Sequence, residues 1–384
     1  MFSGCSGLKT LDLSKFVTNQ LYSMNEMFLG CSSLESLDLS RFNVDGVSRT
    51  GKMFKNCASL TTLTLPDFKN ITSLDEAGEM FSGCSSLEIL DLSTLTAYMY
   101  DTNQMFANAK KLKAIYFADG FGADNLEYAY TDAMFEGCPA TLYCSPKKYE
   151  SFKSNSLIAS FGNAVKPYVG INSMAEYGTL CVPVGSSLAE GSFTGFDKLY
   201  QVTNADKDMG TITMVEVKSI EPGVPYVYHR DLPENAKMSV ITFDVDENVS
   251  AVTAPKNEGS LLKGTFESVV ANGGSYILQT DGCFHPVAAD NTTLTVGAYR
   301  AYLELDGGDL ALSKSYRMVF GDGGTTGVDR INGEGADGYD NGVSDQAGRQ
   351  PKVYFDLMGR KVKPPRKGGV YIVNGRKVVY GNGQ

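Results

Sequence analysis

Histidine is nearly missing from this 384-residue chain, which holds only His229 and His285. Its eight cysteines include no Cys-x-x-Cys pair, so a zinc site of clustered thiolates and imidazoles has no ligand set. The G-x-S-x-G, H-E-x-x-H and P-loop patterns are absent, which leaves no catalytic constellation in motif form. No apolar run approaches the ~18–20 residues that a helix needs to cross a bilayer. Residues 1–26 also lack the basic start and apolar stretch of a signal peptide. Basic charge is scarce: the net charge is −10, with +7 over residues 351–384 and −17 over residues 1–350. An acidic body repels phosphate backbones, so nucleic acid is not an expected partner.

What the chain does have is a repeat. Met-Phe pairs begin at residues 1, 27, 53, 80, 105 and 134. Each of the first four opens the same block: MFSGCSGLKTLDLSKF (1–16), MFLGCSSLESLDLSRF (27–42), MFKNCASLTTLTLPDF (53–68) and MFSGCSSLEILDLSTL (80–95). A looser copy, MFANAKKLKAIYFADGF, covers 105–121. A period of 20–29 residues with an L-x-x-L-x-L core is the mark of a leucine-rich array. Period-two alternation places Leu11 and Leu13 inward and Thr10, Asp12 and Ser14 outward. Phe16, Phe42, Phe68 and Leu95 take the next inward slot, and Met27, Phe28 and Cys31 fill the back of the core.

Cys5, Cys31, Cys57 and Cys84 recur at one position that Ala109 occupies in the looser copy, so the slot wants a small buried apolar group. Cys138 and Cys144 flank the closing turn and are the better candidates for a disulfide. The outward strand face supplies the candidate binding residues: Thr10, Asp12, Ser14, Ser36, Asp38, Ser40, Thr62, Thr64, Ile89, Asp91, Ser93 and Tyr116. The repeated aspartates suggest an acidic, hydroxyl-rich strip for a partner, against the simpler role of keeping a strand surface soluble. Neighbouring carboxylates about 5 Å apart have a retaining-glycosidase spacing. A repeated position gives them near-identical environments, however, whereas acid–base catalysis needs different ones. No catalytic, cofactor or metal residues are expected.

The consensus M-F-x-x-C-x-x-L-x-x-L-D-L-S-x-F resembles the BspA-like leucine-rich repeats of bacterial surface proteins, which are similar to adhesins. That resemblance covers residues 1 to about 155 and implies a closing cap, a last strand and then a short helix, in ATLYCSPKKYESFKSN (140–155). The first unit has no polar cap of the kind a solenoid carries, so the natural protein is expected to extend N-terminally and to hold its signal peptide there.

Beyond residue 170 short β-branched and aromatic runs alternate with turn residues: 179–184, 211–217, 224–229, 239–245, 275–280 and 300–305. They suggest an antiparallel sandwich. YGTLCVPV, IEPGVPYVYH, LLKGTF, YILQTDGCFHPV and VGAYRAYLEL resemble an accessory module of secreted Bacteroidetes proteins. Residues 321–350 hold nine glycines and six acidic residues and read as a flexible linker. DGYDNG (337–342) departs from the calcium-loop pattern. In residues 351–384, Asn374-Gly375 between VYIV and RKVV signals a hairpin. Tyr354–Arg360, Gly369–Val373 and Lys377–Val379 resemble a short variant of the sorting modules of type IX secretion.

The expected fold is therefore mixed α+β: a leucine-rich-repeat solenoid of parallel strands over 1–169 with its cap at about 138–165, then an antiparallel β-sandwich-like domain over 170–320. A linker (321–350) and a short β module (351–384) follow. The expected function is a non-enzymatic, secreted or cell-surface protein that uses its strand face to bind an extracellular protein or glycoprotein, with export machinery engaging the C-terminal segment. The alternatives are a structural spacer without a ligand, and a hydrolase hidden in the β-rich half.

Overall fold

The computed structural model describes residues 1–119, 121–171, 175–231, 240–305 and 315–320, with the backbones of four C-terminal strands. Two compact units divide the chain, Met1–Ile331 and Asn332–Gln384. In the second, Tyr354–Phe355 pairs antiparallel with Lys361–Val362 and with Val370–Val373. Val370–Val373 then pairs with Arg376–Val379, opposing Val373 to Arg376. The expected linker, 321–350, lies outside the described residues.

Each repeat turns two corners that need left-handed backbone. The residue before each later Met-Phe pair (Glu26, Lys52, Glu79, Gln104, Ala133) has φ between 50° and 56°. Three residues after each Met, φ lies between 60° and 76° at Gly4, Gly30, Asn56, Gly83, Asn108 and Gly137. Glycine and asparagine enter this region at least cost, which explains why only those two types hold the second corner. Between the corners the backbone bonds to the following unit. The Phe28 N–H donates to Met53 carbonyl at 2.9 Å, Phe54 to Met80 at 2.9 Å, Phe81 to Met105 at 2.8 Å and Phe106 to Met134 at 2.9 Å.

This ladder holds the phenylalanines in a column. Rings of Phe2, Phe28, Phe54, Phe81, Phe106 and Phe135 follow one another at 5.6, 5.7, 5.5, 5.8 and 4.9 Å, with interplanar angles no larger than 21°. Burial of each inner ring stabilises by about 1.5–3 kcal/mol, and ring pairing adds about 0.5–1.5 kcal/mol. Beside them runs a thiol column: Cys31, Cys57 and Cys84 donate to the carbonyls of Phe2, Phe28 and Phe54 at 3.1, 3.2 and 3.2 Å. Cys138 stands at the same position of the sixth unit, after Gly137, and is buried as a free thiol; Cys144 is also free. The expected disulfide is thus corrected: Cys138 is one more rung of the column.

The expected fold class is corrected as well. The structure is mostly β, with helix in the described residues confined to Tyr149–Ser154, Ser156–Ser160 and the 3-10 turn Ala123–Leu126. The repeats do not build the continuous parallel sheet of a leucine-rich-repeat solenoid. Ser36–Asp38 pairs only with Thr62–Thr64, and Ser73–Leu74 only with Tyr98–Met99. Ile89–Leu92, Ala114–Phe117, Thr141–Cys144 and Val165–Gly170 pair in parallel within a different, six-stranded sheet. The ladder breaks between Thr62–Thr64 and Ile89–Leu92, which do not pair. Asp38 Oδ1 accepts the Ser40 N–H at 2.9 Å, and this Asx turn bends the chain after three extended residues. Phe16, expected inside, is 44% exposed, whereas Phe42 and Phe68 are buried.

The strand and short helix expected at 140–155 are present as Thr141–Cys144 and Tyr149–Ser154, but they do not close the sheet. Val165–Gly170 adds to Thr141–Cys144, and Val240–Phe243 and Phe193–Thr194 extend it antiparallel. The six segments expected as strands between 179 and 305 each overlap one. The expected all-antiparallel pairing is corrected: Val240–Phe243 lies in the six-stranded sheet, and the other five lie in one nine-stranded mixed sheet. It runs from Leu262–Gly264 through Ala301–Leu303, Tyr276–Leu278, Cys283–Pro286 and Tyr316–Phe320. It continues through Thr211–Val217, Lys198–Asp206 and Pro225–His229 to Tyr177–Cys181. Thr211–Val217 and Tyr316–Phe320 pair in parallel. The sheet curls almost into a barrel: the Thr179 hydroxyl donates to the Ala301 carbonyl at 3.0 Å and accepts the Ala301 N–H at 2.9 Å. Tyr200, Ile212, Met214, Leu262, Tyr276 and Phe284 fill one side of it, while Leu180, Phe243 and Tyr299 join the same core as the phenylalanine column.

Candidate functional site

The strand face ends against the β-rich region in a cavity of about 590 Å³. The repeats contribute Ile89, Asp91, Ser93, Tyr116 and Asp119. The following strands add Ser145, Tyr168, Val169 and Gly170, and the β-rich region adds Val240, Ala298 and Tyr299.

Register builds the wall. Parallel pairing puts Asp91 opposite Tyr116, and Tyr116 opposite Tyr143. The Tyr116 and Tyr143 rings stack at 4.8 Å, and Tyr168 meets Tyr116 edge-on at 5.1 Å. Two of the tyrosine hydroxyls in the cavity are committed to the protein. Tyr168 donates to the Phe117 carbonyl at 2.5 Å, and Tyr299 donates to Asp119 Oδ1 at 2.9 Å. Burial pushes the Tyr116 hydroxyl up to about 12, with Tyr143 and the Asp91 carboxylate adding to it. Burial also raises Tyr168 and Tyr299. All of these phenols are neutral near pH 7, so the cavity's formal charge is that of its two carboxylates.

Of the twelve residues expected on the binding face, eleven are exposed and Tyr116 is half-buried. They fall in two places. Ile89, Asp91, Ser93 and Tyr116 line the cavity. Thr10, Asp12, Ser36, Asp38, Thr62 and Thr64 line a shallower groove of about 380 Å³ on the earlier units. Ser14 and Ser40 line neither of these. The aspartates have a local use that the repeat alone did not disclose: Asp12, Asp38 and Asp91 each accept the N–H of the serine two residues on at 2.9 Å. Hydrogen bonds from Ser14 and Ser40 hold the Asp12 and Asp38 carboxyls below the usual range. Each carboxylate nevertheless keeps acceptor capacity to spare.

Sequence reasoning missed Asp119, Tyr168 and Tyr299. Tyr168 reaches its carbonyl across 51 residues and Tyr299 reaches Asp119 across 180, so no local pattern marks them. Tyr299 does have φ +58°, a left-handed conformation uncommon for a bulky side chain.

The two histidines cross-brace strands. His229 Nδ1 lies 2.9 Å from Asp197 and its Nε2 lies 3.3 Å from Glu176. His285 Nε2 meets Asp281 at 2.8 Å and its Nδ1 meets the Ser315 hydroxyl at 2.9 Å. This hydroxyl–imidazole–carboxylate line is invisible in the sequence. It spans the turn between Tyr276–Leu278 and Cys283–Pro286 and links it to the start of Tyr316–Phe320, which accounts for it as a tie across the sheet.

Residues 1–119 match a family described as a Mycoplasma protein of unknown function, DUF285. No curated protein and no solved structure matches the chain. The matched span contains Ile89, Asp91, Ser93, Tyr116 and Asp119, whereas Tyr168 and Tyr299 lie beyond it.

Proposed function

We propose that this is a non-enzymatic binding protein, exported to the cell surface or secreted, that holds an extracellular protein or glycoprotein on its repeat face and in the cavity at its end. The observation that carries this reading is the cavity, a concave site with aromatic walls, an apolar rim and a few polar groups, as binding sites generally are. Ile89 is 59% exposed beside it, an apolar side chain available for contact. The resemblance of the repeats to BspA-like surface proteins, and of residues 351–384 to type IX sorting modules, supports the surface location and the export route.

The test is saturable binding of the full chain to a panel of immobilised extracellular-matrix proteins, mucins and host glycans. A variant carrying Asp12→Asn, Asp38→Asn and Asp91→Asn runs beside it. Asparagine keeps the Asx-turn acceptor, so that variant stays folded and loses charge alone. Binding that weakens about tenfold or more in the variant, a difference of ~1.4 kcal/mol, supports the proposal. Absence of saturable binding across the panel favours the second reading, a structural spacer, to which the Asx turns lend weight because they give the aspartates a purely local role.

A further inference from the structure

The cavity's chemistry is one-sided. Asp91 and Asp119 are exposed carboxylates that line it, and no lysine, arginine or histidine does. Cations close to it in the fold are bonded to other groups, Arg300 at the cavity's own Gly170 edge. Arg300, next to Tyr299, donates to the Thr179 carbonyl at 3.0 Å and to the Gly170 carbonyl. Lys166 pairs with Asp244 at 2.5 Å, and Lys147 pairs with Glu267. Asp91 accepts only the Ser93 N–H in its Asx turn, and Asp119 Oδ1 accepts the Tyr299 hydroxyl. The rest of their oxygen lone pairs meet no protein donor among the described residues.

Three features have to be met by one occupant: the negative charge, the tyrosine surface and the exposed apolar side chain of Ile89. A guanidinium or ammonium group satisfies the carboxylates, most fully as a bidentate guanidinium–carboxylate pair. It is also attracted to the face of a tyrosine ring, and its methylene stem covers apolar surface while the charged head stays polar. A neutral sugar would use the ring and the acceptors but would leave the charge unanswered. Resting on the binding reading above, we propose that the cavity receives a basic side chain, arginine before lysine, from a polypeptide partner. The partner's binding segment is therefore expected to be basic, complementary to the −17 carried by residues 1–350.

The experiment titrates the full chain with Nα-acetyl-arginine methylamide and follows saturation-transfer NMR and calorimetry. The lysine and norleucine analogues, and methyl glycosides of glucose, galactose and N-acetylglucosamine, run in parallel. A ligand of this size is expected to bind with a Kd on the order of 1–10 mM. Arginine should bind most tightly, lysine more weakly, and norleucine and the glycosides at least tenfold more weakly than arginine. The double variant Asp91→Asn/Asp119→Asn keeps both acceptors, for the Ser93 N–H and the Tyr299 hydroxyl, and should lose tenfold or more in arginine affinity. Tyr116→Leu should lose about threefold, the lower end of the cation–π range. Norleucine binding equal to arginine, a glycoside binding in its place, an unchanged double variant, or no binding by any probe each overturns the proposal. If the full chain still captures a matrix protein while the arginine probe fails, only the basic-side-chain assignment falls. If neither binds, the binding reading falls with it.

Discussion

A residue in the repeats finds its partner one unit away, whereas the closing contact of the nine-stranded sheet joins Thr179 to Ala301 across 122 residues. In the first region the same few contacts recur: ring on ring, thiol on carbonyl, N–H on carbonyl. Nearest-neighbour terms therefore add up along the array. In the second region each strand has its own partners, and the loop-closure cost precedes any reward. The difference shows why a short period suffices to specify one half and why the other half has no comparable signature. The two halves are not independent, since Leu180, Phe243 and Tyr299 share a core with the phenylalanine column.

Phe54→Ala tests that shared core most severely. Its ring is fully buried between Phe28 and Phe81, and the loss should cost about 3–5 kcal/mol. Urea unfolding followed by circular dichroism should show one transition moving to lower denaturant. Two separate transitions would mean that the repeats and the sheet are decoupled. Thr179→Val removes the two hydrogen bonds between Thr179 and Ala301, leaving the Cys181 N–H bond to the Tyr299 carbonyl at the same seam, and leaves the Ala301 N–H buried without its acceptor. A cost of about 2–3 kcal/mol is expected, with faster hydrogen exchange at Ala301 and little change in the repeats. Equal loss of protection in the repeats would contradict the assigned locality.

Gly83→Ala probes the corner conformation of the array. With φ at +74°, and with a β-carbon falling 2.5 Å from Asn56 Oδ1, the change should cost about 1–2 kcal/mol. Gly83→Asn should recover part of this in the same denaturation assay, because asparagine holds the equivalent corner at Asn56 and Asn108.

The smallest effect comes from the thiol column. Burial, and then the neighbouring Cys31, pushes the Cys57 thiol up to about 12. Below about pH 9 it is protonated whether the chain is folded or not, and its contribution is fully present. From about pH 9 to 12 the unfolded chain releases a proton that the folded chain retains, so stability falls as pH rises. Cys57→Ala should therefore remove about 1 kcal/mol of the stability lost between pH 8 and pH 10. An identical pH dependence in the variant would show that the thiol is not protected.

Much of the repeat geometry was legible because it is local and recurs. The inward leucines and the outward aspartates follow from alternation, and the core role of the Met-Phe pairs from their fixed phase in the repeat. The Gly/Asn corner was also written in the sequence, at Gly30, Asn56, Gly83 and Asn108, as was the sixth cysteine rung at Cys138. Both go unread when only apolar positions are compared. The expected solenoid failed because the parallel ladder breaks between Thr62–Thr64 and Ile89–Leu92, and the leucine spacing, which is the same in both units, does not reveal that break. In the β-rich half strand positions were legible but strand partners were not: nothing local places Thr211–Val217 beside and parallel to Tyr316–Phe320. For the same reason the cavity was only half visible, with Asp91 and Tyr116 foreseen and Asp119, Tyr168 and Tyr299 not.

The phenylalanine column also bears on the gene. Each inner unit offers the same ring, the same carbonyls and the same N–H groups to both neighbours. Unequal crossing-over between the coding segments of two units would drop or add a whole turn. Every remaining phenylalanine would still lie between two rings, and every corner would still hold its glycine or asparagine. Recombination can therefore lengthen or shorten the array in whole steps. The cavity is set by the last units and the β-rich region, so exchanges confined to the earlier units would leave its lining unchanged.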